Sequence, residues 1–432
     1  MLLTLLPMGV FATDSAQRTP VSMSSWLAGT SGYTKDDFAS IELTIGSADE
    51  LAAFNSSTSP HTNLKGAYIK LTADIDYTGK TWKGIIFDGT FDGNGHTVAG
   101  INVTNCKSSP GMFRFAGGTI KNLTLINITV DASAENTSSN GESAAAVANV
   151  GAIVGSRMNL NVYDSDLIID NVHIINGNVK GAGQVGGIIG SVNAVANDTS
   201  KNTSTTVTIS NCSFNGTVKG TSNVGGIIGY CVNAGSVSVS NCSVSLEGEM
   251  GTSTAGSIIG LVNANTTVTS CTVLPSEYNP SNYANLKSGS TKTLNVSDCT
   301  SDVSASTRYY GIQDRVVDGL VDYRMVGVLD TEDLGEINDI GFYVTVTYGG
   351  VTKAQKVSCN TVYTSVQGGG ITYTTKQTRS GETVIDGDYL YVLVIAGVPA
   401  EATVSATVTT YMSDADGNIS CGATKTETLT QD

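Results

Sequence analysis

The chain has 432 residues, enough for two or three domains, and 40% of them are hydrophobic, which excludes a disordered chain. It carries 38 acidic and 23 basic residues, and this formal net charge of -15 excludes the basic surface by which proteins bind nucleic acid. Abundant Gly, Ser, Thr, Asn and Val favour strands and tight turns over helices.

The N-terminal segment, MLLTLLPMGVFATDSAQ, contains a short apolar run at residues 2–12 that ends in small residues. This run is typical of a secretory signal peptide that lacks its basic start, and we assign residues 1–20 to its remnant and a linker. The alternative is a buried N-terminal strand or helix. No other stretch has the ~18 apolar residues of a membrane span, so we expect no membrane span and a secreted, extracellular or cell-envelope-associated protein.

Residues 45–103 lead into a repetitive region. The spacing in ADELAAF (48–54) predicts a short helix, and AYIKLTADIDYTGKTWKGI (67–85) alternates like a pair of strands. The following segment, FDGTFDGNGHTVAGINV (87–103), places Asp-Gly and Asn-Gly turns between short strands.

A small, apolar hexapeptide then recurs at starts 35, 39 and 31 residues apart: VGAIVG (150–155), VGGIIG (185–190), VGGIIG (224–229) and AGSIIG (255–260). Alternating segments such as ISNCSFNGTVKG (209–220) separate the copies and predict strands with one buried face. Short strands at this period indicate a solenoid or a propeller, and the two Trp residues lie outside the repeats, which disfavours propeller blades. We therefore predict an all-β fold with a right-handed parallel β-helix, of which residues 21–304 form the N-terminal cap and the helix.

Equivalent positions of the repeat should stack on one another in such a fold. The Asn position can form a hydrogen-bonded ladder at a turn, and the Gly positions allow either a positive φ at a corner or a close approach of neighbouring chains. For the Cys position, buried thiols and disulfides are both open, since the spacing of neighbouring strands is within disulfide range. The repeat residues are Asn122, Asn171, Asn211, Asn241, Cys212, Cys242, Cys271, Gly151, Gly155, Gly186, Gly187, Gly190, Gly225, Gly226, Gly229, Gly256 and Gly260.

The character of the chain changes after about residue 304. The hexapeptide stops, ten of the 17 Tyr follow, and longer alternating strands such as IGFYVTVTYGG (340–350) appear. This pattern predicts a separate, immunoglobulin-like β-sandwich over residues 305–432.

The VGGIIG repeats with intervening N-C-x-F/V-x-G strands resemble the GLUG-motif repeats of secreted bacterial surface proteins, and the likeness extends over about residues 44–300. The tail, with NTVYTSV (360–366), DYLYVLVIAGVP (388–399) and ATVTTYM (406–412), is similar to a β-sandwich module found beside such repeats. The resemblance implies a right-handed parallel β-helix on a bacterial surface, in some members with an adhesin-like role. An LPxTG motif is absent from this sequence, which argues against covalent attachment to the cell wall.

Catalysis on a β-helix is the alternative, because glycosidases need paired carboxyl groups and polysaccharide lyases need a base with acidic residues for Ca²⁺. The candidate acidic residues are Asp88, Asp92, Asp164 and Asp166, although turns and solvated loops explain the same residues. Ca²⁺ has only this weak support, and we predict no metal site and no cofactor. The sequence also has no GxSxG nucleophile motif.

Binding is the favoured function. Rows of Asn, Ser and Thr on a rigid rod can bind sugar hydroxyls, and aromatic rings can stack on sugars. We therefore predict a non-catalytic, adhesin-like monomer whose partner is a glycan or a surface protein. The candidate ligand-binding aromatic residues are Tyr309, Tyr310, Tyr343, Tyr348, Tyr363 and Tyr373.

Overall fold

The computed structural model describes residues 18–56, 64–103, 109–132, 149–158, 165–193, 205–232, 234–251, 254–274, 280, 282–300, 307–330, 337–358, 372–377, 388–400, 402–414, 419–422 and 424–430. Within these ranges the chain is almost wholly β-structure. The helices are α1 (Met23–Leu27) and α2 (Ala48–Ser56), and a 3-10 turn lies at Lys35–Asp37. Helix α2 contains the predicted helix at 48–54.

The strands of the leading segment are β1 (Thr19–Ser22), β2 (Ile41–Ile45), β3 (Tyr68–Leu71), β4 (Ile75–Asp76), β5 (Thr81–Trp82), β6 (Ile85–Asp92), β7 (Thr97–Ala99), β8 (Asn102–Val103), β9 (Phe113–Ile126) and β10 (Thr129–Ala132).

The strands of the repeats are β11 (Asn149–Gly151), β12 (Val154–Met158), β13 (Leu167–Gly181), β14 (Gln184–Gly186), β15 (Ile189–Asn193), β16 (Thr206–Ser210), β17 (Ser213–Lys219), β18 (Asn223–Gly225), β19 (Ile228–Val232), β20 (Ser236–Ser240), β21 (Ser243–Leu246), β22 (Thr254–Gly256), β23 (Ile259–Asn263), β24 (Thr266–Thr269), β25 (Thr272–Val273), β26 (Ala284–Leu286) and β27 (Leu294–Ser297).

The C-terminal strands are β28 (Arg308–Val317), β29 (Leu320–Asp330), β30 (Ile337–Tyr348), β31 (Val351–Ser358), β32 (Thr372–Gln377), β33 (Asp388–Pro399), β34 (Val404–Asp414), β35 (Ile419–Cys421) and β36 (Lys425–Leu429).

The repeats stack in parallel, unit on unit. One unit consists of β16, β17, β18 and β19, and each of these strands pairs in parallel with its counterpart in the next unit, β20 to β23. Val207 lies opposite Val237, 30 residues further along the chain, so sequence-equivalent residues are direct neighbours in space. The inward residues of each strand, such as Val207 and Ile209 of T-V-T-I-S, are buried, and together they form one long hydrophobic core. The stack of units therefore exposes long ladders of identical or similar outward side chains.

The leading segment follows the same arrangement, which corrects three details of the sequence prediction. The segment 67–85 was expected to form a pair of strands, but β3 pairs with β2 and β6, whereas β4 pairs with β7. Asp88-Gly89, expected at a turn, lies inside β6, which pairs with β3 and β9. A Cβ atom at Gly89 would lie 2.6 Å from the carbonyl oxygen of Ala67, so this close approach is what requires glycine there. Thr19 and Pro20, assigned to the linker, belong to β1, which pairs with β2.

The hexapeptide glycines are required by close approach and not by a positive φ, which corrects one of the two reasons given for them. None of the ten has a φ in the left-handed region. A Cβ atom at Gly186 would lie 2.7 Å from the backbone N of Gly229 in the next unit, and one at Gly225 would lie 2.7 Å from the N of Gly260. The hexapeptides of consecutive units are thus packed backbone against backbone, which only glycine permits.

The C-terminal strands form two antiparallel sheets around a second core. One sheet has the order β28-β29-β33-β32, and the other has the order β31-β30-β34-β35 with β36 on β34. Alternate residues of β29 and β33 pack against those of β30 and β34, and the rings of Phe342 and Tyr391 are 5.0 Å apart. One face of each sheet is therefore turned toward a shared apolar layer.

Candidate binding faces and their geometry

A flat, polar surface, here called the hydroxyl face, is formed by the outward side chains of β16, β20, β24 and β27. These strands pair in register, so Thr208 lies beside Ser238, and Ser238 beside Thr267. Neighbouring parallel strands are about 4.8 Å apart, and alternate residues on one strand are about 6.6 Å apart, so the hydroxyls form a regular grid. The side chains of the face are Thr206, Thr208, Ser210, Ser236, Ser238, Ser240, Thr267, Thr269, Asn295 and Ser297.

All ten side chains of the hydroxyl face are exposed or half-buried, and none of them is charged. The absence of charge is notable in a chain of net charge -15. The same row of the stack changes character toward the N-terminus, where Lys70, Asp92, Lys121 and Asp170 occupy the positions equivalent to Ser210. The hydroxyl face is therefore a distinct, neutral part of a longer surface.

A ladder of Asn side chains borders this surface. Asn122, Asn171, Asn211 and Asn241 all have a φ between 51° and 55°, in the left-handed region that Asn tolerates better than most residues. The Nδ2 atom of Asn171 donates to Oδ1 of Asn122 at 3.0 Å, and Nδ2 of Asn241 donates to Oδ1 of Asn211 at 3.4 Å. Asn211 and Asn241 lie between two strands of their units, and Asn122 and Asn171 take the same φ within β9 and β13, so the predicted Asn position is the same corner in each unit.

The Cys position follows the Asn ladder and faces the core. Cys212, Cys242 and Cys271 are buried free thiols, and each Sγ lies close to the carbonyl oxygen two residues before it. Burial raises the pKa of the Cys242 thiol well above its ordinary value, and for Cys271 the neighbouring Cys242 thiol and then burial raise the pKa. Of the two alternatives left open by the sequence, the structure has the thiols.

The candidate acidic residues have different surroundings. Asp92 has a structural role, because it accepts hydrogen bonds from Tyr68 Oη at 2.5 Å and from Asn122 Nδ2 at 3.0 Å. Burial, followed by this bond and the charge of Asp92, raises the pKa of Tyr68. Asp166 is exposed, and its carboxylate accepts from the backbone N of Thr206 at 2.7 Å. Asp164 lies outside the described residues.

Asp88 and Asp166 lie on the same outward row, one on each side of Gly117. Asp88 pairs with Gly117 in register, and the backbone of Asp166 lies beside that of Gly117 on the other side. Asp88 is only 4% exposed and forms an ion pair with Lys65 at 3.6 Å. Gly117 has no side chain, and a Cβ atom there would lie 3.0 Å from Oδ1 of Asp88 and 3.4 Å from Cβ of Ser165.

The candidate tyrosines whose side chains are described, Tyr309, Tyr310, Tyr343 and Tyr348, have different surroundings. Tyr343 is buried against the ring of Tyr411 at 4.8 Å and is unavailable to a ligand, which corrects its assignment as a candidate. Tyr310 is 53% exposed, whereas Tyr309 and Tyr348 are half-buried against the second core. Tyr363 lies outside the described residues, and for Tyr373 the structure describes only the backbone, in β32.

A second lateral surface of the stack, here called the docking face, is covered by the C-terminal sheet that contains β30, β31, β34 and β35. It consists of the outward side chains of β7, of β21, of the C-terminal ends of β9 and β13, and of Asn215 in β17. Ala99, Ile126 and Ile175 of this face are buried by Tyr411, Ile419 and Cys421. Sequence reasoning missed this contact.

Comparison of the chain with family models, curated proteins and solved structures finds no match. In the described ranges, no helix is long and apolar enough to cross a membrane. Across the same ranges, no group of three or more His, Cys, Asp or Glu side chains is placed to hold a metal ion.

Proposed function

We propose that this chain is a secreted or cell-surface, non-catalytic binding protein that presents a rigid, laddered face to a glycan or a surface partner. In this proposal the stacked units form a right-handed parallel β-helix of the GLUG-motif type, and the C-terminal sheets form an immunoglobulin-like β-sandwich. The in-register parallel pairing of successive units and the antiparallel order of the C-terminal sheets support that architecture.

The observation that carries the proposal is the hydroxyl face. Each Ser or Thr hydroxyl can donate one hydrogen bond and accept others, as a sugar hydroxyl does. A neutral grid can meet an extended, uncharged polysaccharide at several points without desolvating an ion. Each contact is weak, but several contacts made by one ligand chain give a much higher overall affinity.

A glycan-array and polysaccharide pull-down assay tests this proposal. The variant Thr208→Val/Ser238→Ala/Thr267→Val removes three adjacent hydroxyls from the centre of the face while keeping the shape of the strands. We expect wild-type protein to bind at least one neutral polysaccharide, and this variant to bind it at least tenfold more weakly. The control is Thr217→Val, a half-buried residue of β17 outside the face. If the triple variant and the control variant bind the polysaccharide equally well, the hydroxyl face is not the binding site.

A second candidate function, polysaccharide hydrolysis, is favoured by one observation. Asp88 and Asp166 flank β9 on either side of Gly117, two strand spacings or about 10 Å apart between Cα atoms. Inverting glycosidases hold their two carboxyl groups about 6.5–9.5 Å apart. Asp88 would be the buried acid and Asp166 the exposed base.

Incubation with polysaccharides and analysis of released sugars distinguishes the two functions. A hydrolase should release shortened chains, and Asp88→Asn and Asp166→Asn should each abolish the release. Asp36→Asn, which changes an exposed carboxylate in the 3-10 turn, is the matched control. Binding without product would leave the non-catalytic proposal in place.

A further inference from the structure

The docking face has an apolar centre on the outside of the stack. Ala99 lies opposite Ile126, and Ile126 lies opposite Ile175, so the three side chains form one row across successive strands. They are 2%, 2% and 0% exposed, because side chains of β30, β34 and β35 cover them. The C-terminal sheets therefore bury apolar surface that the stack alone would leave in water.

Polar contacts surround this apolar row along the length of the stack. Lys353 of β31 forms an ion pair with Asp76 of β4 at 3.0 Å. Toward the other end, the backbone N of Thr424 donates to the carboxylate of Glu247 at 2.8 Å. Between them, Nδ2 of Asn215 lies 3.4 Å from the carbonyl oxygen of Gly422.

His173 lies in this contact, in an outward position two residues before Ile175. It is 4% exposed, and both ring nitrogens have partners: Nδ1 is 2.9 Å from Ser213 Oγ, and Nε2 is 2.8 Å from Asn171 Oδ1. The amide oxygen of Asn171 can only accept, so Nε2 carries the proton, and Nδ1 accepts from the Ser213 hydroxyl in the neutral ring. In the docked state, both ring nitrogens of neutral His173 therefore have a hydrogen-bond partner, and the ring is shielded from water.

We propose that the contact between the C-terminal sheets and the docking face is a pH-sensitive latch that opens in mild acid, with His173 as the sensing residue. A proton on buried His173 would place a positive charge in an apolar contact, facing Lys356 of β31. Opening the contact exposes the ring to water, where the charge is hydrated. The proposal does not depend on the ligand or activity of the hydroxyl face.

The direction of the pH effect follows from the two states of His173. Burial, and secondly the charge of Lys356, lower the pKa of His173 from 6.5 to about 3 in the docked state. An opened contact returns the pKa toward its ordinary value, so the open state binds the proton more tightly. The docked state is therefore favoured fully above about pH 6.5 and loses stability as the pH falls toward 3, by about tenfold in the opening equilibrium per pH unit.

Other titratable groups of the contact are distinguishable from His173. Burial raises the pKa values of Tyr343 and Cys421, which stay neutral in acid. Lys356 Nζ lies 3.5 Å from the carboxylate of Asp339 on the neighbouring strand. The carboxylates of Asp76, Asp339 and Glu247 also lie in the contact, so a control must separate their effect from that of His173.

Cys421 provides the test, because it is a free thiol buried in the contact, whereas Cys242 is a free thiol in the core of the stack. We would label the full chain with 4,4′-dithiodipyridine, which reacts with thiols in acid, between pH 7 and pH 4, and quantify each cysteine by mass spectrometry. We expect Cys421 labelling to begin rising near pH 6.5 and to approach about tenfold per pH unit, while Cys242 stays unlabelled. In His173→Gln, Cys421 labelling should not change over this range.

Four outcomes would count against the latch. If the labelling of Cys421 and of Cys242 rises together as the pH falls, the protein is unfolding globally. If His173→Gln shows the same rise in Cys421 labelling as the wild-type protein, the effect belongs to the carboxylates. If the contact is already open at pH 7 in the Gln variant, the wild-type protein provides the test. An onset of Cys421 labelling near pH 4 instead of pH 6.5 in the wild-type protein would exclude His173 as the sensing residue. Lys353→Met should raise Cys421 labelling at every pH with the same slope, and a changed slope would count against His173.

Discussion

Gly186 is a residue at which one methyl group should disturb the stack. A Cβ atom there would overlap the carbonyl oxygen of Ile189 and lie 2.7 Å from the backbone N of Gly229 in the next unit. Backbone cannot rotate aside as a side chain can, so we expect Gly186→Ala to lower the free energy of unfolding by about 3 kcal/mol, measured by urea denaturation. Gly248→Ala is the control, because its Cβ would be 3.6 Å from Thr217, an ordinary contact. A loss of equal size in both variants would contradict this explanation.

Asn211 combines a backbone and a side-chain role that two substitutions can separate. Its φ of 55° costs most residues about 1–2 kcal/mol, and its Nδ2 donates to Asp170 Oδ1 at 2.9 Å. We expect Asn211→Ala to lose about 2–3 kcal/mol of unfolding free energy, and Asn211→Gly, which adopts this φ freely, to lose only the side-chain hydrogen bonds with Asp170 and Asn241, about 1 kcal/mol. Chemical denaturation of the two variants measures the difference, and equal losses would mean that the left-handed conformation is not costly here.

At the scale of the strand ladders, the thiol column makes a prediction about reactivity. Cys242 has a neighbour in the column on both sides, whereas Cys299 is half-buried at the last described unit. Iodoacetamide needs the thiolate, and burial raises the pKa of both thiols. We therefore expect Cys299 to be alkylated first in the folded protein at pH 8 and Cys242 only after denaturation, as measured by peptide mass spectrometry. A non-reduced peptide linking Cys242 to Cys271 would instead show a disulfide.

The ladders also indicate how far the sequence predicts the structure. The role of Asn211 and Asn241 can be recognised from the sequence because every unit repeats the same corner. Residues at equivalent positions of stacked repeats are neighbours in space, so the repeat itself predicts these contacts. The docking face has no such repetition. In the sequence, the docking face is marked only by a break in the alternation of apolar and polar residues. Leu125-Ile126 and Ile174-Ile175 are pairs of adjacent apolar residues, and on a strand one residue of each pair must point outward. The sequence does not say what covers Ile126 and Ile175, since that depends on a contact between distant segments.

At the scale of the whole molecule, the stack and the C-terminal sheets should depend on each other for solubility. A fragment ending at residue 304 would expose Ala99, Ile126 and Ile175 as a contiguous apolar row. We expect this fragment to bind the dye ANS and to scatter light more strongly than the full chain. Ile126→Ser/Ile175→Ser should reduce both signals in the fragment but destabilise the full chain. Equal dye binding by the fragment and the full chain would argue against the contact.

The position of the C-terminal sheets along the stack has a mechanical consequence. In a repeat protein each unit contacts only its neighbours, so a pulling force can detach units one at a time from an end. Here the chain leaves the stack after β27, yet Lys353 is bonded to Asp76, near the opposite end. A pull on the chain beyond residue 429 must therefore shear the docked sheets along several units at once before the last unit can detach. We expect a single high-force rupture followed by smaller, regular steps, instead of regular steps from the start.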